Sequence, residues 1–263
     1  MFMPKVMMSR KGPIGLIQLN RPEVRNALDA ELIEGLEKIF LEMASDPTLR
    51  VAILSGNGES FCAGADLNWM KSDHSGEAQA KEAQRFANCL NYLNHFSKPL
   101  IVQVHGVVMG GGVGLASVGD IVVAGESTRF ALSEVKVGLV PAIVAPYVIA
   151  KIGESAARHL FLTGEKFGAV DAVRYGLAHE VVAAEKLETR SLEIAEGLLS
   201  SGPEAIRICK ELIHEVTTTT DRVSLEAHTV KILTLLRGSP EAAEGIRAFL
   251  EKRKPSWLVA RSS

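Results

Sequence analysis

A chain of 263 residues with 47% hydrophobic and 23% charged residues has the composition of a folded globular protein, which excludes a disordered chain, a collagen-like repeat and a disulfide-stapled miniprotein. Its 29 basic and 31 acidic residues leave a formal charge of -2, so no bulk field draws nucleic acid or an anionic membrane surface. Cys62, Cys89 and Cys209 are far apart and form no CxxC pair, which argues against structural zinc and for a reducing, cytoplasmic setting.

The first predicted element is a strand over Ile14–Leu19, closed by Asn20-Arg21-Pro22. Asp29 is placed to cap a helix in which Leu32, Ile33, Leu36, Ile39, Phe40 and Met43 form one apolar face, and Asp46-Pro47 ends it. Residues 51–54 and 100–104 predict two further buried strands, with a polar helix over 77–95 between them. With 120–124 as the next strand, strands and helices alternate through 14–125 and imply a mostly parallel sheet. Beyond Ala142 only 179–182 resembles a strand, while helices are predicted over 187–199, 203–216 and 223–236. The apolar stretch 100–124 is interrupted by His105, several glycines and Asp120, so it does not read as a membrane span, and the basic N-terminus lacks the apolar region of a secretion signal.

Two loops stand at the C-terminal ends of predicted strands, where α/β sheets hold ligands: Ser60-Phe61-Cys62-Ala63-Gly64-Ala65-Asp66-Leu67, and the glycine-rich segment from His105 to Leu115. Small residues let backbone N–H groups approach a ligand atom closely, so one amide from each loop can form an oxyanion hole, with Gly111 opening a helix. The competing reading is that the glycines only allow tight packing. Leu115 breaks both the GxGxxG and the GxSxG pattern, no phosphate loop is present, and Ser117 falls inside the helix rather than on a nucleophile turn. No histidine pair has metal-ligand spacing, so no metal is expected. Glu134 lies among apolar neighbours after a strand-like run in Phe130-Ala131-Leu132-Ser133-Glu134-Val135, where desolvation would suit it to carrying a proton unless it pairs with Lys136 or another cation.

Taken in order, Asn20-Arg21-Pro22 with Asn26-Ala27-Leu28, the SFCAGADL loop, GGGVGLASVGD, FALSEVKVGLVP, Leu162-Thr163-Gly164, Gly176-Leu177 with Val181-Val182, and the segment from Phe249 to Arg253 resemble the crotonase, or enoyl-CoA hydratase/isomerase, superfamily over nearly the whole chain. The wording ADLNWMK and SEVKVGLVPAIVAPYV is similar to bacterial methylglutaconyl-CoA hydratase-like members. The resemblance implies an α/β spiral of ββα units over 1–195 and a helical trimerisation region over 196–263. It implies acyl-CoA substrates, no separate cofactor because coenzyme A is part of the substrate, and a homotrimer or a hexamer made of two trimers. By motif position, Glu134 exchanges the proton while the Ala65 and Gly111 amides hold the thioester oxygen. Ala63, Asp66 and Leu67 border the adenine and pantetheine, Arg25 lies near the CoA phosphates, and Lys252 reaches a neighbour's CoA.

Family hydratases carry two glutamates, and the first position is Gly114 here. The missing side chain is expected to leave room for a branched or carboxylated acyl tail, with Asp73 or Glu77 as substitute water-holding groups. Ala142 stands where dehalogenases and dienoyl-CoA isomerases of the family place an aspartate, which argues against those activities. The expected function is hydration or dehydration of an enoyl-CoA. The alternatives are a double-bond isomerase or a decarboxylase working with Glu134 alone, and, from another class, a non-catalytic acyl-CoA- or RNA-binding homologue.

Overall fold

The structure, a computed structural model, describes residues 3–66 and 76–259. Its principal sheet joins β1 (Val6–Lys11), β2 (Ile14–Leu19), β3 (Val51–Gly56), β4 (Leu100–Val104), β6 (Ile121–Gly125) and β9 (Glu180–Val182) in that spatial order. A smaller sheet joins β5 (Val107–Met109), β7 (Arg129–Ala131) and β8 (Lys166–Gly168). In the principal sheet β1 runs antiparallel to β2 and every other pairing is parallel.

The apolar runs of the central strands are continuous rather than alternating because the sheet is covered on both faces. Ala52 and Leu54 of β3, with Leu100, Val102 and Val104 of β4, face one core, and Val51, Ile53 and Ile101 face another. The first core is filled by α1 (Ala30–Ser45) and α2 (Gly76–Asn94). The second is closed by α6 (Leu187–Leu198), through Leu187, Ala195 and the adjoining Leu199. The sequence-based boundary between residues 195 and 196 therefore falls within a helix that belongs to the core.

Local signals account for α1 closely. The Asp29 carboxylate accepts from the Leu32 N–H at 2.9 Å, and Leu32, Ile33, Leu36, Phe40 and Met43 are buried. Three strands were not expected: β1, whose sequence is half polar, and the three-residue strands β5 and β8, too short to show a period, whereas β7 coincides with the strand-like run ahead of Glu134. Strand β8 corrects the expectation of a single strand beyond Ala142. The remaining α-helices among the described residues are α3 (Gly111–Ser117), α4 (Ala145–Thr163), α5 (Ala169–Tyr175), α7 (Pro203–Thr218), α8 (Arg222–Arg237), α9 (Pro240–Leu250) and the short α10 (Ser256–Val259). Repeated strand–strand–helix units make this an α/β spiral with a helical C-terminal part, as the resemblance implied. No helix among the described residues is long and apolar enough to cross a membrane.

Candidate active site

Three loops converge where the two sheets meet. Residues 61–66 are stitched on one side to the segment 105–109, with Phe61 N–H donating to His105 O at 2.9 Å and Met109 N–H to Cys62 O at 3.0 Å. On the other side Leu28 N–H donates to Gly64 O at 2.7 Å and Asp66 N–H to Leu28 O at 2.9 Å. The third loop follows β7, and Gly110 N–H donates to Ala131 O at 2.9 Å, bringing Glu134 beside the glycines. Such close backbone contact leaves no room for side chains. Gly64 has φ +95°, and a Cβ there would stand 3.0 Å from Met109 O. A Cβ at Gly112 would meet Cys62 O at 2.4 Å, so tight packing is one function of the glycines.

It is not the only one. Ala65, Gly111 and Glu134 line one cavity of about 560 Å³, together with Leu28, Phe86 and the segment from Leu139 to Val144. The Ala65 and Gly111 N–H groups have no hydrogen-bond partner among the described residues. For Ala65 this follows from the strand-like bridge to Leu28, which uses its neighbours' groups; for Gly111 it follows from standing at the start of α3. Glu134 opens a short 3₁₀ turn and pairs neither with Lys136 nor with any other cation among the described residues. Its Oε2 is buried without a hydrogen-bond partner among them, and burial raises its pKa above the ordinary carboxylate range. Its Oε1 lies 2.8 Å from where a Cβ on Gly110 would stand, so any side chain at 110 would displace the carboxylate.

The other expected site residues lie around this cavity or apart from it. Arg25 is exposed in a left-handed turn with φ 53°, and its carbonyl accepts from Ala63 N–H at 2.9 Å. The Asp66 carboxylate is turned away to Arg21 at 3.0 Å, within a buried cluster in which Arg21 also pairs with Asp29 at 3.0 Å. Lys252 is exposed just past α9. Leu67 and Asp73 lie outside the described residues, and Glu77 is exposed in the first turn of α2, off the cavity lining.

Gly114 requires a correction: it does not leave space. A Cβ there would stand 2.3 Å from Val144 Cγ1 and 3.5 Å from Leu90 Cδ1, so Val144 already fills the seat and no acyl tail enters it. Sequence reasoning also missed α2, read only as a polar helix. Its Gln79, Glu82, Ala83 and Phe86 line the cavity, at the one-face spacing that would have revealed them. Asn26 was missed as well. Fully buried with φ 55°, it accepts from Arg21 N–H at 2.8 Å and donates to Asn57 O and Ser60 O at 2.9 and 2.8 Å, fixing the loop that carries Ala63 and Ala65.

Competing chemistries find no support. Ser117 is buried and donates to Val113 O at 2.8 Å, as a helix-interior serine does. Cys62 is buried and its thiol is pushed up to about 12, a poor nucleophile. Among the described residues no group of three or more His, Cys, Asp or Glu is arranged to hold a metal.

Residues 9–259 match the family model for enoyl-CoA hydratase/isomerase. The chain is 33% identical to the 2,3-dehydroadipyl-CoA hydratase of Escherichia coli, over 97% of this chain and 99% of that protein. It is 33% identical to a carnitinyl-CoA dehydratase of Proteus mirabilis, over 95% and 97% of the two chains. Among solved structures it superposes on an enoyl-CoA hydratase from Shewanella pealeana with a TM-score of 0.92 and 32% identity, covering 96% of each chain. The corresponding values for an enoyl-CoA hydratase from Mycobacterium smegmatis are 0.93 and 30%, covering 97% and 100%. With a glutamate and two amides, unpaired among the described residues, lining one cavity, and with likeness along nearly its full length, this chain is an enzyme of the crotonase superfamily and belongs to the enoyl-CoA hydratase/isomerase family.

Proposed function

We propose that the protein is an enoyl-CoA hydratase, adding or removing water across the α,β double bond of an acyl-CoA thioester. The observation that carries this reading is the Glu134 carboxyl, whose buried Oε2 has no hydrogen-bond partner among the described residues, in one cavity with the Ala65 and Gly111 amides, also unpaired among them. The two amides receive the thioester oxygen, and their fixed dipoles strengthen as enolate charge develops on it. Glu134 gives a proton to the α carbon or takes one from it, and the burial that raises its pKa makes its carboxylate a stronger proton acceptor than a solvated one. No separate cofactor is needed, since coenzyme A arrives with the substrate. Arg25 meets the CoA phosphates, Ala63 and Asp66 border the adenine and pantetheine, and Lys252 reaches the CoA of a neighbouring copy.

The acyl end is apolar: Leu28, Ile33, Phe86, Leu139 and Ile143 line the cavity, and the described lining holds no cationic side chain. This favours an uncharged, branched acyl group over a carboxylated one such as methylglutaconyl. The apolar residues left exposed on the last helices, among them Leu233, Leu235, Ile246, Phe249 and Leu250, support assembly of copies of this chain into a trimer or a pair of trimers in the cytoplasm. One observation favours a second reading. With the Gly114 seat closed by Val144, a single-glutamate enoyl-CoA isomerase fits the same geometry. Incubation with a panel of enoyl-CoAs in ¹⁸O-water separates the two: label in a 3-hydroxyacyl product supports hydration, and double-bond migration without label replaces it with isomerisation.

A further inference from the structure

The geometry points to Glu82 as the second catalytic carboxylate, which activates the water that Glu134 cannot. This rests on the hydratase reading and extends it. Along α2, Gln79, Glu82, Ala83 and Phe86 fall at positions i, i+3, i+4 and i+7, so they share one helix face, and all four line the cavity that holds Glu134. Two contacts set the orientation of that face. The Phe86 ring comes within 3.3 Å of the position of a Cβ on Gly111, and Leu90, one turn further on, reaches to 3.5 Å from that on Gly114. Glu82 precedes Phe86 by one turn, about 5.4 Å along the axis, and is half-buried. Among the described lining residues Glu82 and Glu134 are the two carboxylates, and they approach from different elements, α2 and the turn after β7.

The closure at Gly114 gives this arrangement its meaning. Water cannot be held by a carboxylate at 114, because Val144 occupies that seat. It is held instead from the α2 side, by Glu82 with the Gln79 amide beside it. In hydration Glu82 takes a proton from water as the water oxygen bonds to the β carbon. The π electrons of the double bond move through the α carbon onto the thioester oxygen, and the enolate then takes a proton from Glu134 at the α carbon. Glu82 leaves protonated and Glu134 deprotonated, and exchange with solvent resets both, so the net change is one water added.

The two carboxylates are separable because exchange of an α proton needs Glu134 and the amides but no attacking water. Two rates are measured: ¹⁸O incorporation from water into crotonyl-CoA, and deuterium exchange at the α carbon of butyryl-CoA in heavy water. Glu82→Gln is expected to lower the hydration kcat at least about tenfold while leaving exchange within about twofold, whereas Glu134→Gln loses both. Glu82→Ala must show the same split, which guards against an effect peculiar to the amide. Hydration near the wild-type rate in either Glu82 variant overturns the assignment, as does a parallel loss of hydration and exchange, the mark of a merely structural role. A wild-type enzyme that exchanges butyryl-CoA but takes no label into crotonyl-CoA or a branched enoyl-CoA overturns the hydratase reading itself, and with it the role of Glu82.

Discussion

Helices α1 and α8 are both 16 residues long, and in each an aspartate side chain accepts from an N–H of the first turn: Asp29 from Leu32, Asp221 from Val223. Their fates differ. Five apolar residues of α1 are buried, whereas α8 buries none and leaves Val223, Val230, Leu233 and Leu235 exposed. Capping and length decide where a helix starts and how far it runs, and they are silent on what its apolar residues will meet. For α1 the partner is the chain's own sheet. For α8 these four side chains stay exposed, and in our reading a second copy of the chain covers them.

The contrast is sharpest where packing is densest. Phe40 of α1 is fully buried, with its ring edge-on to Phe96 at a centroid distance of 5.0 Å. Phe40→Ala should cost about 3 to 5 kcal/mol in denaturant unfolding, and a loss below about 1 kcal/mol would mean that this core relaxes easily.

Inside the cavity the effect shifts from stability to rate. Glu134→Gln should lower kcat at least about a hundredfold, roughly 2.7 kcal/mol of barrier, and near-normal turnover in the folded variant would remove Glu134 from the chemistry. The same substitution should change the pH dependence of stability. Because burial raises the native pKa above that of the unfolded chain, the native state binds more protons, and its stability falls as pH rises through the ordinary carboxylate range and up to the raised value. Glutamine does not ionise, so the variant should gain Tm over the wild type at pH 7 and lose that gain below about pH 4. An equal Tm difference at both pH values would contradict this linkage.

A smaller stability effect is expected at the closed seat. Gly114→Glu should destabilise by about 1 to 3 kcal/mol through overpacking against Val144 and should not raise hydration of crotonyl-CoA. Combining it with Val144→Gly should recover part of the loss, and additive losses in the double variant would show that the two positions are uncoupled. The smallest intrachain effect belongs to α8. Leu233→Ser, at a position 69% exposed, should change the stability of a single chain by no more than about 0.5 kcal/mol. It should nevertheless shift sedimentation toward smaller species, and an unchanged sedimentation profile would take α8 out of the interface.

What could be read from the sequence follows from how local the determining physics is. The strands β2, β3 and β4 announce themselves because burial on both faces demands unbroken apolar runs, and α1 because its cap and stripe lie within 17 residues, Asp29 through Ser45. Strands β5 and β8 have three residues each and are held by tertiary neighbours, so no period could reveal them. The same division runs through the site. Gly64, Gly111 and Glu134 stand out by type and setting, but the Arg21–Asp66 ion pair spans 45 residues and the Gly114–Val144 contact joins separate helices. Gly114 looked like room only because its occupant comes from the start of another helix. Glu82 was hidden in a helix whose overall polarity masked a face of mixed character.

The order of the principal sheet carries a consequence for synthesis. Its strands stand side by side as β1, β2, β3, β4, β6 and β9, with no later strand inserted between two earlier ones. A chain leaving the ribosome from its N-terminus therefore adds each new strand to an edge that already exists, and the first hairpin, β1 with β2, can serve as the template from the outset. Once residue 60 has emerged from the ribosome β3 should stand as an open edge, once residue 110 has emerged β4 should, and the sheet reaches its final edge only when residue 182 has emerged. Growth of this sheet can thus run in one direction, and the helices α7 to α9, with their exposed apolar residues, follow it in the chain.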